Sequence, residues 1–342
     1  MNPLLFGYAQ APVLWRNKGE TVRELPTATS VNDAETMLRD SGAALLLTGT
    51  SLNGVDLERR FILAAQRLRV PSLALLDYWS NYVPRFSSDG RVLDCLPERI
   101  AIMDGQARDE MRAAEFPDEL LVTTGQPLFD DLTLRREGAS AASRAATRQA
   151  LGVAEERLVL FVSQPLREVY GTEGAAGWLG YDEFDIVPPF LAALKRMVKD
   201  QSLRLVVLPH PRESRERCAF WLVGRSWATL APAGADSREL VLAADLVAGM
   251  NSMLLMESVL LGIPALSIQL NLRSADHLPV SRAGVIPRVE QVESLEGTLR
   301  GLLRKGAVRD EYLARLGNLP RSGNAAGRVA ELVRSLACGE EL

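Results

Sequence analysis

A succession of short apolar runs, each followed by an amphipathic stretch, sets the main limit on what this chain can fold into. In the first part the runs are PLLFG (3–7), AALLLTG (43–49), SLALLD (72–77), IAIMD (100–104) and ELLVTTG (119–125). In the second they are LVLFVS (158–163), LRLVVLP (203–209), a weaker one at Trp227–Leu230, DLVA (245–248) and ALSI (265–268). Helical patterning fills the gaps at Asn32–Arg39, Asp56–Leu68, Ala107–Ala114, Phe184–Lys199, Ser237–Ala243 and Ser252–Leu261. Buried strands alternating with helices specify an α/β fold with parallel sheets. The charged, Ala-rich segment Arg135–Gly152 reads as a surface helix joining two halves, with the boundary between about Gly125 and Arg135. The expectation is therefore two facing Rossmann-like domains, residues 1–130 and 131–342. Helices from about Leu295 onward should pack across the joint.

Composition narrows the chemistry. A chain of 342 residues that is 47% hydrophobic and 24% charged can bury two cores. A net charge of −4 argues against nucleic acid as the main partner. The three cysteines, Cys95, Cys218 and Cys338, show no metal-ligand spacing, and with only His210 and His277 beside them no metal site is expected. The opening MNPLLFGYAQAP has neither a basic n-region nor a long apolar stretch, and no apolar run approaches membrane-spanning length. A cytoplasmic protein with free thiols and no transmembrane segment is expected.

In parallel sheets, ligands bind beyond the carboxyl ends of the strands. The segments there are TGTSLNG (48–54), DYWSNYVPRF (77–86), TGQP (124–127), SQPLRE (163–168), PHPRE (209–213) and GMNSM (249–253). Small and polar residues recur at these ends, and in the second half Arg167, His210 and Arg212 join them. In GMNSMLLMESVLLGIPALSIQ a helix opens at Ser252 just after a strand, so its free N–H groups and positive dipole end suit phosphate. Each candidate also has a purely structural alternative. Glu257 suits pairing with a Lys or Arg, His210 a hydrogen-bonded turn, and Trp79, Tyr78 and Tyr82 packing. Arg167, Arg212 and Arg273 suit the surface.

With these residues in view, the chain resembles the two-domain fold shared by the GT-B glycosyltransferases and the UDP-GlcNAc 2-epimerase family. DLVAGMNSMLLMESVLLGIPALSI matches the family's strand, small-residue loop, helix with an inward Glu, and Gly-x-Pro, with Glu257, Gly262 and Pro264 in step. VVLPHPRE is similar to its strand ending in His-Pro. Arg167 and Glu168 alone carry over from its His-Arg-Arg-Glu-Asn loop. VTTGQP resembles the Thr-Gly-Asn-Pro that ends its first domain. The chain departs at the Ser-Gly-Gly positions, which here are Asn251, Ser252 and Met253, and at the acidic positions of the first domain, here Thr50 and Ser51.

The resemblance implies a nucleotide-sugar donor as substrate and no tightly bound cofactor. Ser163, Arg167, Asn251, Ser252, Met253 and Glu257 would hold the donor, Glu257 receiving the ribose hydroxyls. His210 and Asp77 would be the catalytic residues, with Asp56 a weaker choice of base than Asp77. Thr50, Ser51, Trp79, Tyr82 and Arg85 would line the side of a glycan or small-molecule acceptor. On this reading a nucleotide-sugar-dependent transferase of GT-B type, acting in glycan or polysaccharide biosynthesis, ranks first. The alternatives are an epimerase or hydrolase of nucleotide sugars, set lower because the TGTS loop lacks acids, and a non-catalytic binding protein that keeps the fold.

Overall fold

The computed structural model describes residues 3–52, 54–317 and 323–339. The chain divides into two units, Met1–Asp130 with Ser322–Leu342, and Asp131–Arg321. The division falls inside a helix, Pro127–Gly138, and a second helix, Ala141–Ala150, follows it. The single surface helix expected over this segment is thus two. Ser140 breaks it, because its hydroxyl accepts the Ser143 N–H in a capping box that starts a new helix.

In the first unit, β1 (Leu5–Gly7) and β2 (Val22–Glu24) form a small parallel pair around the helix Ala11–Asn17. A separate parallel sheet contains β3 (Leu46–Thr48), β4 (Ser72–Leu75), β5 (Arg99–Ile102) and β6 (Leu121–Thr123) in that order. The helix Val31–Ser41 begins on a Ser30–Asp33 capping box, an arrangement that contributes about 1 kcal/mol. Its Ala34 and Leu38 pack against Phe61, Ala64 and Ala65 of the helix Leu57–Leu68.

The second unit has one six-stranded parallel sheet in the order β12-β11-β10-β7-β8-β9. These strands are β7 (Arg157–Val162), β8 (Leu203–Leu208), β9 (Ala228–Leu230), β10 (Leu246–Gly249), β11 (Ala265–Ile268) and β12 (Arg288–Val289). Every residue of β10 and β11 is buried, as a parallel sheet covered on both faces requires. The sheet orders give the α/β fold with parallel sheets. Among the described residues no helix is long and apolar enough to cross a membrane.

One expectation is corrected here. The helix Ala325–Cys338 belongs to the first unit and not to a second domain running to residue 342. Val329, Leu332 and Leu336 pack on Leu73 of β4 and Ala101 of β5. Arg328 Nε donates to the Thr124 carbonyl at 2.7 Å, and Asp130 accepts the Ala326 N–H at 3.0 Å. An apolar stripe shows that a helix packs, but not which sheet it meets. Leu332→Ala leaves a hole in this layer, at a cost of about 2–5 kcal/mol. Amide exchange should then quicken in β4 and β5 but not in β7 and β10, and unchanged protection of β4 and β5 would refute this packing.

Candidate functional site

The second sheet starts at β7, in its middle. One half runs outward through β8 and β9, the other through β10, β11 and β12. A crevice opens at the carboxyl ends where the two halves diverge, between β7 and β10. Gln164 and Asn251 bridge that point. Gln164 Nε2 donates to Asn251 Oδ1 at 2.9 Å, and the Asn251 N–H donates to Gln164 Oε1 at 3.1 Å. The strands approach closely here, since a Cβ on Gly249 would stand 3.0 Å from the Val162 carbonyl oxygen.

The helix Met253–Leu260 opens directly after this bridge. Ser252 is its N-cap, its hydroxyl accepting the Leu254 N–H at 3.2 Å. The head of the helix is thus a backbone donor site for an anion. Asn251 is buried and its side chain is committed to Gln164. Met253 stands at the first helical position, partly buried.

Glu257 is paired with an arginine, the structural alternative that its sequence context allowed. Arg238, in the first turn of the helix Ser237–Ala243, meets it through Nε at 2.8 Å and Nη2 at 3.4 Å. The fork offsets the cost of holding this half-buried charge. Each carboxylate oxygen still has lone pairs for further donors.

On the other flank, Ser163 is fully buried and its hydroxyl donates to Glu213 Oε1 at 2.8 Å. It therefore faces the protein and not a ligand, a second correction. Glu213 Oε2 also accepts the His210 N–H at 2.8 Å, joining the ends of β7 and β8. Burial raises the Glu213 carboxyl, and the nearby Glu183 charge adds to the effect. Burial pushes the neighbouring Cys218 thiol up to about 11, so it is no nucleophile near neutrality. His210 Nδ1 accepts the Arg212 N–H at 3.2 Å, which puts the proton of the neutral ring on Nε2. Arg167 gives its Nε to Asp182 at 2.6 Å and lies over the Phe184 ring at 4.2 Å. Among the described residues its Nη groups have no acceptor, leaving them for an anionic ligand.

In the first unit, three expected acceptor-side residues prove internal. Trp79 is buried, donates Nε1 to Asp104 at 2.9 Å and stacks on Phe129. Tyr82 is buried and donates to Glu110. Arg85 is buried, donates Nη1 to the Thr50 carbonyl at 2.6 Å and pairs with Asp77. Trp79 and Tyr82 thus take their packing alternative, and Arg85 an internal partner that sequence does not reveal.

The loop after β3 carries more than the sequence suggested. The buried Thr50 places its hydroxyl 3.2 Å from Asp77 Oδ1. Asp77 itself remains half exposed, the side chain retaining 55% of its accessible surface. The next residue, Ser51, hydrogen-bonds Glu58, whose carboxylate also lies within 3.3 Å of the Tyr8 hydroxyl. Sequence reading missed Glu58. Its place in the first turn of the helix that follows TGTS was the available signal, since that turn sits beside the loop it leaves. Asp56 instead pairs with Arg59.

Both histidines lie below the ordinary imidazole value. Burial lowers His210 and the Arg212 charge adds to it; burial also lowers His277. A depressed folded-state value favours the neutral ring, so stability is full above pH of about 6.5 and falls as pH drops below it. With two histidines in the chain, an imidazole NMR titration separates them with one variant. Both should titrate below about 6.5, and a His210 midpoint at or above that value would contradict the burial described.

No protein-family model matches the sequence, and no curated protein matches it. Solved structures do. A Listeria monocytogenes protein assigned as a UDP-N-acetylglucosamine 2-epimerase superposes with a TM-score of 0.70 at 17% identity, over 97% of this chain and 87% of that one. The Neisseria meningitidis UDP-GlcNAc 2-epimerase bound to UDP-GlcNAc gives 0.64 at 14% identity, over 97% and 99%. Anabaena HepE in complex with UDP-glucose gives 0.60 at 14% identity, over 97% and 88%. The chain has the two-domain, Rossmann-like GT-B fold of the UDP-GlcNAc 2-epimerase structures.

Proposed function

We propose that this chain binds a nucleotide sugar and turns it over by acid–base chemistry on the sugar itself, the reaction class of nucleotide-sugar epimerases and hydrolases. The observation that carries this is the pair of carboxylates, Asp77 and Glu58, held by the neighbouring hydroxyls of Thr50 and Ser51. Inverting a carbon that bears hydrogen takes a base to remove the proton and an acid to return it. Transfer to an acceptor needs one base, and its supposed acceptor contacts at Trp79, Tyr82 and Arg85 are spent inside the protein. The likeness to epimerase structures supports the same choice.

The second unit is the nucleotide-binding half on this reading. Backbone N–H groups at the head of Met253–Leu260, the Nη groups of Arg167 and the Nε2–H of His210 suit the diphosphate. They also stabilise charge that grows on a departing nucleotide. Glu257, oriented by Arg238, suits the ribose hydroxyls. The reading calls for no tightly bound cofactor.

Incubating the protein with UDP-linked sugars and no acceptor, followed by NMR, tests it. An epimer or free nucleotide should appear, and Asp77→Asn and Glu58→Gln should each lower kcat by roughly 100- to 10,000-fold. UDP should still raise the melting temperature of both variants, since a ligand selective for the folded state stabilises it. Product that forms only with an added acceptor would instead establish transfer. Absence of any nucleotide-induced stabilisation would remove both enzymatic readings. Arg167→Ala should weaken UDP binding about tenfold or more while leaving uridine binding within twofold, because it removes a phosphate partner alone.

A further inference from the structure

The amino end of the second sheet, opposite the β7–β10 crevice, holds an excess of positive charge around one carboxylate. Asp245 immediately precedes β10 and is 9% exposed. Its Oδ1 accepts from Arg144 at 3.2 Å and Arg157 at 3.3 Å; its Oδ2 accepts from Arg148 at 3.2 Å and the Leu158 N–H at 2.9 Å. Those four bonds exhaust the capacity of a carboxylate. A fourth arginine, Arg309, reaches the Asp245 carbonyl oxygen at 3.2 Å.

Other negative groups offset part of this charge. The carbonyls of Leu242, Ala243 and Ala244, at the end of the helix Ser237–Ala243, accept from Arg144 and Arg148, and a helix carboxyl end carries about half a negative charge. Asp310 faces Arg309, and Glu156 faces Arg148 and Arg204. The arginines still outnumber the carboxylates. Arg144 and Arg309 are held below the usual arginine range, first by burial and then by the charges of neighbouring arginines, Arg157 acting on both.

Arg157 and Arg309 each use only Nη1 among the described residues, so Nε and Nη2 of both have no acceptor. Their forks come from different elements, β7 and the helix Ala307–Gly317. Planar forks without acceptors, brought together despite mutual repulsion, match the tetrahedral oxygens of a phosphoryl group.

We propose that Arg157 and Arg309 form a second anion site, which binds a phosphoryl group at the amino end of the sheet, away from the nucleotide crevice. The bound anion would relieve the repulsion among the arginines, Arg144 included, and tie β7 to the helix Ala307–Gly317.

The test is thermal unfolding in inorganic phosphate against sodium chloride at matched ionic strength, with saturating UDP present so that any phosphate effect at the crevice is masked. Phosphate should raise the melting temperature of the wild-type protein above the chloride control. Arg157→Gln and Arg309→Gln should each lose that increment while keeping the increment due to UDP. Arg157→Lys keeps the charge beside Asp245 but lacks the fork, and should weaken the phosphate response at least about tenfold. Equal melting in phosphate and chloride, or an unaltered phosphate response in the folded Arg157→Lys and Arg309→Gln proteins, would overturn the site. Absence of a UDP increment in the wild-type protein would count against the nucleotide reading, while loss of the phosphate response in Arg157→Gln and Arg309→Gln would still report the second site. Replacing phosphate with a phosphate monoester distinguishes free phosphate from an esterified ligand.

Discussion

Strand β7 is hydrogen-bonded on both sides, to β8 and to β10, and the rest of the second unit is arranged around that double pairing. The two neighbours continue into opposite halves of the sheet, so the connections leaving β7 and β10 part and leave a gap above them. What fills the gap is polar and interlocked. Gln164 and Asn251 exchange two hydrogen bonds, Glu213 fastens Ser163 to the His210 turn, and Ser267 donates to the Met250 carbonyl at 2.6 Å. A ligand would meet loops already fixed by one another, which lowers the ordering cost of binding.

The legibility of the sequence followed burial. Strands covered on both faces, such as LVLFV, LVA and ALSI, announce themselves as unbroken apolar runs. The edge strand β12 has two residues and the short β2 has one buried residue of three, too little for a pattern to stand out. The helix heads at Ser252 and Ser237 were readable from local chemistry. The destination of Ala325–Cys338 was not, because an amphipathic stripe carries no address.

At the site, local sequence revealed which positions face the strand ends but not who meets whom. Local sequence leaves Glu257 open to a ribose or to a cation, because its partner, Arg238, lies on another helix. Arg85 stands among the expected acceptor contacts, yet it donates to the Thr50 carbonyl and pairs with Asp77. Glu58 is legible only as an acid in the first turn after the TGTS loop, and folding alone brings it to Ser51 and Tyr8. Residue type narrows the chemistry; the partner decides the role.

The return of the helix Ala325–Cys338 to the sheet of β4 and β5 has a consequence for synthesis. The first unit is discontinuous along the chain, whereas the second is one uninterrupted segment, Asp131–Arg321. As the chain leaves the ribosome, the earlier-made sheet must wait, with Leu73 and Ala101 lacking their covering layer, while the whole second unit emerges and becomes able to fold. The order of completion is thus the reverse of the order of translation for these two cores. The uncovered face of the first sheet is the surface that a chaperone, or an aggregating neighbour, would meet in the interval.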